Sequence, residues 1–342
     1  MIIFFIVIAS MFVALIIVSV VLSLYILRKF FGRRYNGNPY VKYFKTEDFE
    51  GLNASPVSFH SECGDLLRGY VYSAAGKNET VGLIIFSHGF GAGHLSYTTE
   101  INTFAQHGFK VLAFDNTGCV SSEGNTIKGF DQGVSDLVSA VAYAKSDESL
   151  KNLPIALVGH SWGGFSVMNA FPLCENISCA VAICGFISSA DVISQNAFGK
   201  IFPVRLISKI IFKIRNKIVY GKRANYNSLR SLKNIEKPVF LLYGKKDKTV
   251  LWKKNGLKMA ETLKDNPFLK INTYDEKAHN VYLTVQAEKL LNSSFADAAS
   301  KAKKCPAEAE KYYKDIDYKA ITEEDEQVMN EIISFISDNL KK

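Results

Sequence analysis

The chain has 342 residues, of which 48% are hydrophobic, 12% aromatic and 22% charged, and 41 Lys plus Arg against 33 Asp plus Glu give a net charge of +8. This composition excludes a disordered or collagen-like chain, and six cysteines in this length exclude a disulfide-dense small domain. The length predicts two domains or one large α/β unit.

Residues 1–27 predict an uncleaved transmembrane anchor. No charge occurs between Ile2 and Leu27, and a helix of this length spans about 39 Å, enough for a hydrocarbon core of about 30 Å. A cleaved signal peptide is the alternative interpretation. The apolar stretch is too long for one, and neither a preceding Lys or Arg nor a small-residue cleavage site accompanies it.

Residues 28–55 predict a basic juxtamembrane linker. Six cations occur before the first acid, Glu47: Arg28, Lys29, Arg33, Arg34, Lys42 and Lys45. By the positive-inside rule this flank faces the cytoplasm, which predicts a single-pass membrane protein with a cytoplasmic catalytic domain. Cys179 and Cys184 agree with a reducing compartment, because they lie in an apolar run that is typical of a buried strand.

Residues 56–186 and 233–342 alternate short β-rich runs with helical stretches. The predicted strands, of which the first two form an antiparallel pair, are Val57–His60, Leu66–Tyr72, Val81–Phe86, Lys110–Phe114, Ile155–Val158, Ala180–Ile183, Val239–Tyr243 and Leu269–Tyr274. The clearest helices are Asp131–Lys145, Trp252–Leu263 and Glu323–Leu340. Continuously apolar strands are typical of parallel sheets, so we predict an α/β fold with a mostly parallel eight-stranded sheet flanked by helices.

Two stretches interrupt this alternation. Residues 187–232 are too long for one crossover helix and predict an inserted helical cap, and residues 280–321 predict an extra helical hairpin. The cap has nine cations and one acid, Asp191, so it carries +8, and the stretch from Arg28 to Lys45 carries +6. The rest of the chain therefore carries −6, and the basic character is concentrated in two patches.

Residues 201–220 of the cap predict a basic amphipathic helix. The apolar face contains Val204, Ile207, Ile211, Ile214 and Ile218, and cations recur every four positions at Arg205, Lys209, Lys213 and Lys217. In one interpretation the apolar face packs on the body and the cations lie in water. In the other the helix lies on an anionic membrane leaflet, where each cation contributes about 1 kcal/mol, and its apolar face guides an acyl chain.

The segment Gly159-His160-Ser161-Trp162-Gly163-Gly164 follows a predicted strand and precedes a helical stretch. This is the context of a G-x-S-x-G nucleophile elbow, where small neighbours at Gly159 and Gly163 allow a strained turn that exposes the serine hydroxyl. The motif alone is also compatible with a glycine-rich turn that contains an incidental serine.

The loop Ser87-His88-Gly89-Phe90-Gly91-Ala92-Gly93 follows another strand and predicts an oxyanion loop. Gly89 and Gly91 let the chain curl tightly, the backbone N–H of Phe90 supplies one donor, and that of Trp162 supplies the second. The side chains of Phe90 and Trp162 are also candidate substrate contacts.

Asp247 and His279 each follow a later strand, which completes the order Ser161, Asp247, His279. The carboxyl ends of strands are where open α/β sheets bind ligands. Asp191 is an alternative acid, whereas Asp275 is too close in sequence to His279 to orient it. The other histidines have no metal-ligand spacing, so we predict no metal; His88 and His160 are expected to pack beside the site.

These motifs resemble the α/β-hydrolase superfamily, in its monoacylglycerol-lipase-like and serine-aminopeptidase-like branch, from about Pro56 to Leu340. Asp115-Asn116-Thr117-Gly118 also resembles the family's turn, although Cys119 and Val120 depart from its usual continuation. The resemblance implies that Ser161 attacks an acyl carbonyl, His279 transfers the proton and Asp247 orients His279. It implies no cofactor.

The predicted function is a membrane-anchored serine hydrolase that cleaves esters of acyl lipids such as monoacylglycerols or lysophospholipids. Alternatives are a serine aminopeptidase or amidase, an acyl thioesterase, or a non-catalytic binding protein. An aminopeptidase needs carboxylates to hold a free amine, and the cap offers only Asp191, which favours the ester. No nucleic-acid motif accompanies the charge, so no nucleic-acid partner is expected.

Overall fold

The structure, a computed structural model, describes residues 1–76, 80–199 and 201–340. Its eight strands are β1 (Leu52–His60), β2 (Leu66–Ala74), β3 (Gly82–Ser87), β4 (Phe109–Phe114), β5 (Ile155–His160), β6 (Cys179–Ile183), β7 (Val239–Gly244) and β8 (Leu269–Tyr274). They form one sheet in the order β1-β2-β4-β3-β5-β6-β7-β8. β2 is antiparallel to β1 and β4, and the other neighbours are parallel. The predicted fold class is therefore confirmed.

The helices cover both faces of the sheet and extend beyond it. They are α1 (Ile2–Phe31), α2 (Thr98–Gln106), α3 (Phe130–Ser146), α4 (Trp162–Ala170), α5 (Ser189–Phe198), α6 (Phe202–Tyr220), α7 (Ser228–Leu232), α8 (Gly256–Thr262), α9 (Val285–Lys304), α10 (Ala309–Lys314), α11 (Tyr318–Ile321) and α12 (Glu326–Leu340). Short 3-10 turns occur at Thr46–Asp48, His94–Tyr97, Phe171–Leu173, Gly221–Arg223, Trp252–Lys254 and Pro306–Glu308.

The central strands are apolar throughout because both of their faces are covered. In β3, Leu83 and Ile85 enter the core that α3 and α4 help to form. The alternate residues Ile84 and Phe86 enter the core on the other face, with α2 and α12. Every residue of β3, β5 and β7 is buried, which is the environment that continuous apolar runs indicate.

α1 is long and apolar enough to cross a membrane, with a mean hydropathy of 3.1 in its most apolar window, of which only 6% is buried. The helix continues to Phe31, four residues beyond the predicted end at Leu27. Its buried residues recur every four positions at Ser19, Ser23, Leu27 and Phe31. This spacing forms one stripe along the helix, and Ser23 contacts Ser208 of α6 there.

α6 is the predicted basic cap helix, but the predicted apolar face is wrong in part. Its buried residues are Val204, Ser208, Phe212 and Asn216, whereas Ile214 and Ile218 are exposed. The exposed apolar residues form a second stripe, called here the outer stripe, on the opposite face: Phe202, Leu206, Ile210, Ile214 and Ile218. Periodicity misassigned the faces because α6 is apolar on both sides.

The predicted helical insertion, residues 280–321, contains α9, α10 and α11. It packs on the linker: Phe44 shares a small core with Tyr318 and Ile321, and the ring of Tyr40 stacks on that of Tyr313 with centroids 6.1 Å apart. The linker is also held on its other side, where Arg34 donates hydrogen bonds to the carbonyls of residues 120, 122 and 124. These contacts fix the start of the chain against the body.

Candidate active site

Ser161 lies at a sharp turn between β5 and α4. Its φ of 57° and ψ of −110° are a strained conformation for a residue with a Cβ. The turn needs glycine on both sides: a Cβ at Gly163 would lie 1.8 Å from the carbonyl oxygen of Ser87, and one at Gly159 would lie 2.5 Å from Gly163. The sequence Gly159-x-Ser161-x-Gly163 therefore folds as the predicted elbow.

The structure brings Ser161, His279 and Asp247 together. His279 Nε2 lies 2.9 Å from Ser161 Oγ, and His279 Nδ1 lies 2.7 Å from Asp247 Oδ2. The backbone N–H groups of Thr249 and Val250 donate to Asp247 Oδ1 over 2.7 and 2.8 Å. Asp247 is 4% exposed, so its carboxylate is held by fixed donors rather than by water.

The two alternative acids lie elsewhere. Asp191 is on α5 and forms an ion pair with Lys209. Asp275 forms an exposed ion pair with Lys245 over 2.6 Å. Neither forms a hydrogen bond with the His279 ring. The partner of His279 Nδ1 is Asp247.

The candidate oxyanion donors are the backbone N–H groups of Phe90 and Trp162. Within the described ranges, neither N–H has a hydrogen-bond acceptor in the protein. Gly91 has a φ of 73°, which favours glycine, and a Cβ at Gly89 would lie 2.6 Å from the hydroxyl of Tyr97. The Phe90 loop can therefore lie close to the first turn of α4, where both N–H groups are free to bind an oxygen.

A hydrogen-bonded chain that sequence reasoning missed connects this loop to His279. Gly89 N–H donates to the hydroxyl of Tyr97 over 3.0 Å, and Tyr97 lies 2.9 Å from Nδ1 of His160. His160 Nε2 lies 3.0 Å from the carbonyl oxygen of His279. A His160 with its proton on Nε2 satisfies every contact, since Tyr97 then donates to Nδ1.

His160 stays neutral in this arrangement. Burial, and then the nearby His279, lower the pKa of His160 well below its ordinary value. His160 and His88 were expected only to pack beside the site, and both are buried there. His88 also holds the turn after β4, because its Nε2 accepts from the N–H of Asn116 over 3.0 Å.

A cavity of about 330 Å³ opens at Ser161 and is largely apolar. Phe90 and Trp162, the two candidate substrate contacts, line it together with Phe130 and Phe186 from the body. Three further lining residues, Ile26, Phe30 and Phe31, belong to α1. The ring centroid of Phe31 lies 5.6 Å from that of Phe90 and 5.0 Å from that of Phe130. The end of the N-terminal helix is therefore part of the cavity wall.

These α1 residues were missed by the sequence analysis. The available signal was Phe30-Phe31 directly after Arg28-Lys29, since an apolar pair inside a basic flank indicates contact with another surface. The pair was instead assigned to the linker.

Cys184, Asp247 and His279 offer ligand atoms within 4.8 Å of one another, the spacing of a metal site. Burial raises the pKa of Cys184 well above its ordinary value, so its thiol stays protonated. Both ring nitrogens of His279 are already engaged, by Asp247 and by Ser161. These side chains therefore fit a hydrogen-bonded arrangement of Asp247, His279 and Ser161 better than a metal site.

Residues 78–233 match the family model described as serine aminopeptidase, S33. A curated relative, an uncharacterized 31.7 kDa protein of the traX-finO intergenic region of Escherichia coli, is 27% identical over 160 residues. That match covers 46% of this chain and 56% of the relative, so the chain spans about half the length of the curated relative.

Solved structures with the same fold include an esterase and a peptidase. An esterase from Pyrococcus furiosus is 21% identical, with a TM-score of 0.57 over 80% of this chain and 98% of its own. An acylaminoacyl peptidase from Pyrococcus horikoshii is 17% identical, with a TM-score of 0.53 over 70% of this chain and 39% of its own. The chain therefore has the α/β-hydrolase fold of these structures, and its residues 78–233, which include the elbow, are similar to the serine aminopeptidase, S33 family.

Proposed function

We propose that the chain is a membrane-anchored serine hydrolase that cleaves carboxylic esters of acyl lipids. The observation that carries this proposal is the apolar cavity at Ser161, to which α1 contributes Ile26, Phe30 and Phe31. A substrate whose acyl chain resides in a bilayer reaches Ser161 along the helix that is apolar enough to cross that bilayer. The cavity volume of about 330 Å³ is in the range of small-molecule sites.

In the proposed mechanism Ser161 Oγ attacks the ester carbonyl carbon while His279 Nε2 accepts the hydroxyl proton. Asp247 stabilises the resulting imidazolium through the contact to Nδ1. The negative oxygen of the tetrahedral intermediate accepts hydrogen bonds from the N–H groups of Phe90 and Trp162. His279 then returns the proton to the leaving alcohol, and water repeats the sequence to release the fatty acid and free Ser161.

The cavity lining favours an ester over a free-amine peptide. Among the described residues that line it there is no Asp or Glu to hold an ammonium group. Asp191, the acid of the cap, forms an ion pair with Lys209 instead. An acyl thioester is uncharged at the reacting group, like an ester, so the cavity lining does not distinguish between the two. A thioester is therefore included in the substrate series below.

The same proposal includes the domain organisation and the location of the chain. Residues 1–27 anchor it, 28–55 link it to the core formed by 56–186 and 233–342, and 187–232 form the cap. The cationic flank favours a cytoplasmic catalytic domain. The outer stripe of α6 gives the cap an exposed apolar surface, which is favourable at a membrane interface beside α1.

Labelling with a fluorophosphonate probe tests the nucleophile. The full-length chain in detergent should be labelled, and Ser161→Ala should not be. Ser96→Ala is the matched control, because Ser96 is an exposed serine on the 3-10 turn His94–Tyr97, and it should be labelled like the wild type. Labelling that persists in Ser161→Ala would exclude Ser161 as the nucleophile.

A substrate series tests the reaction class. We expect kcat/KM to rise with acyl length over p-nitrophenyl esters from acetate to palmitate, and to exceed the rates for an amino-acid arylamide and a matched thioester. Phe30→Ala should raise kcat/KM for palmitate relative to the shorter esters because it enlarges the cavity, whereas Leu24→Ala, also on α1 but outside the lining, should not. An arylamide turned over faster than every ester would contradict the proposal.

A further inference from the structure

A second cavity of about 400 Å³ lies on the other side of α5 from the cavity at Ser161. Val192 lines both cavities. Otherwise α5 divides them: Ile193, Asn196 and Ala197 line the first, and Asp191, Ser194 and Gln195 line the second. No residue of the proposed mechanism lines the second cavity, so a ligand there has a function other than being hydrolysed.

The second cavity is strongly basic. Five cations line it, from α6, from the 3-10 turn Trp252–Lys254 and from α8: Arg205, Lys209, Lys253, Lys254 and Lys258. Among the described residues that line it, Asp191 is the one acid, and it pairs with Lys209. In the part of the chain that the structure describes, no carboxylate forms an ion pair with the other four cations. An anion in this cavity is therefore stabilised by an excess of positive charge.

Gln195 lines this cavity as a neutral polar residue. Its Nε2 is buried and has no hydrogen-bond partner within the described ranges. That nitrogen is closed to solvent, so the charge that favours an anion in the cavity comes from the five cations. The buried Ser194 lines the same cavity.

The rim of the cavity is apolar on one side. Phe202 and Leu206 line it, and they are the first two residues of the outer stripe of α6. α6 in turn contacts α1 through Ser208 and Ser23. A small free anion would leave these two exposed side chains in water, whereas an anion that carries acyl chains covers them.

We propose that the second cavity binds the phosphate headgroup of an anionic phospholipid, with its acyl chains along Phe202 and Leu206. The cations of α6 neutralise the phosphate together with Lys253, Lys254 and Lys258. The outer stripe of α6 then contacts the acyl chains of the lipid. This lipid is a bound membrane component that holds the cap at the bilayer surface. The site goes beyond the proposed hydrolysis, because it stands whether or not Ser161 is catalytic.

Calorimetric titration of the full-length chain in a neutral detergent tests the site with three probes: dihexanoyl phosphatidylglycerol, dihexanoyl phosphatidylcholine and inorganic phosphate. We expect phosphatidylglycerol to bind about tenfold or more tightly than either of the others. Equal affinity for the two lipids overturns the proposal. Inorganic phosphate that binds as tightly as phosphatidylglycerol assigns the cavity to a free anion, which also overturns it.

A pair of double variants locates the binding. Lys253→Ala with Lys254→Ala should weaken phosphatidylglycerol binding about tenfold or more. Lys303→Ala with Lys304→Ala removes the same charge from exposed positions on α9 and should leave the affinity unchanged. Unchanged thermal midpoints establish that both variants are folded. An equal loss of affinity in the two variants would mean that binding depends only on the total charge, which contradicts the proposed binding site. None of these measurements depends on catalysis.

Discussion

The hydroxyl oxygens of Ser23 on α1 and Ser208 on α6 lie 2.7 Å apart, and both side chains are fully buried. Ser19, one turn earlier on α1, is also buried, and its hydroxyl donates to the carbonyl of Leu15 over 2.7 Å. Small residues let two helices approach closely. The contact therefore joins the apolar N-terminal helix to the helix of the proposed cap.

Ser23→Leu should reduce hydrolysis of long-chain esters. The larger side chain overpacks the contact with α6 at a cost of about 1–3 kcal/mol and pushes α1, with Phe30 and Phe31, away from the cavity. We expect kcat/KM for a dodecanoate ester to fall about tenfold, with little change for an acetate ester, which does not fill the cavity.

Ser10→Leu is the matched control for this prediction. Ser10 makes the same intrahelical bond, to the carbonyl of Ile6 over 2.8 Å, but it is exposed. Long-chain activity that is equal in the two variants would mean that the α1–α6 contact does not shape the cavity.

Asp247→Asn should lower kcat by about 10⁴-fold with a small effect on KM. The asparagine oxygen can still accept from the N–H groups of Thr249 and Val250, so its amide group faces His279 and favours the tautomer that cannot accept the Ser161 proton. Asp191→Asn is the control, because Asp191 pairs with Lys209 instead, and it should keep near wild-type activity. The opposite ranking would make Asp191 the acid.

Tyr97→Phe should lower kcat about tenfold and reduce stability by about 1–3 kcal/mol. It removes the acceptor of the Gly89 N–H and the donor to His160 Nδ1, both buried. The oxyanion loop and the backbone of His279 then lose their connection. Tyr143→Phe removes a phenol hydroxyl that bonds Asp147 over 2.9 Å; we expect it to leave kcat unchanged. Equal kcat values in both variants would refute a positioning role for Tyr97.

The fold could be predicted from sequence because its signals are local. The apolar run of β5 and the small residues at Gly159 and Gly163 determine a strand and a tight turn without reference to distant residues. Strand order then brings the ends of β7 and β8 to the same edge as Ser161. The approach of Asp247 and His279 to Ser161 is a consequence of that topology, and their catalytic roles stay predictions.

The part of α1 in the cavity wall could not be predicted in the same way. A helix that is apolar on every side has no periodicity to indicate which face is buried, and only Ser19 and Ser23 mark the stripe. Whether Phe31 meets Phe90 depends on where the linker directs the helix, and that is decided by distant contacts such as Arg34 with the loop at Gly124. The apolar face of α6 was predicted wrongly in part because that helix has apolar residues on two opposite faces.

A buried carboxyl group, Glu100, and its half-buried neighbour Glu324 give the chain a pH-dependent stability. Glu100 on α2 is 5% exposed, and burial and the neighbouring Glu324 raise the pKa of Glu100 well above its ordinary value. Burial raises the pKa of Glu324 from 4.5 to about 7, although the hydroxyl of Thr103 donates to it. The folded chain therefore holds protons that the unfolded chain has already released.

Glu324→Gln should make stability less dependent on pH. Because the folded pKa of Glu324 is raised, the folded state binds more protons than the unfolded state between pH 4.5 and about 7, and wild-type stability falls as pH rises through this window. The loss attributable to Glu324 is about 3 kcal/mol at most. Thermal midpoints of the full-length chain at pH 5 and pH 8 should differ less in Glu324→Gln than in the wild type, with the variant more stable at pH 8. Glu323→Gln, at an exposed neighbouring position, should keep the wild-type difference, and a variant that retains the full pH dependence would show that Glu324 is not its source.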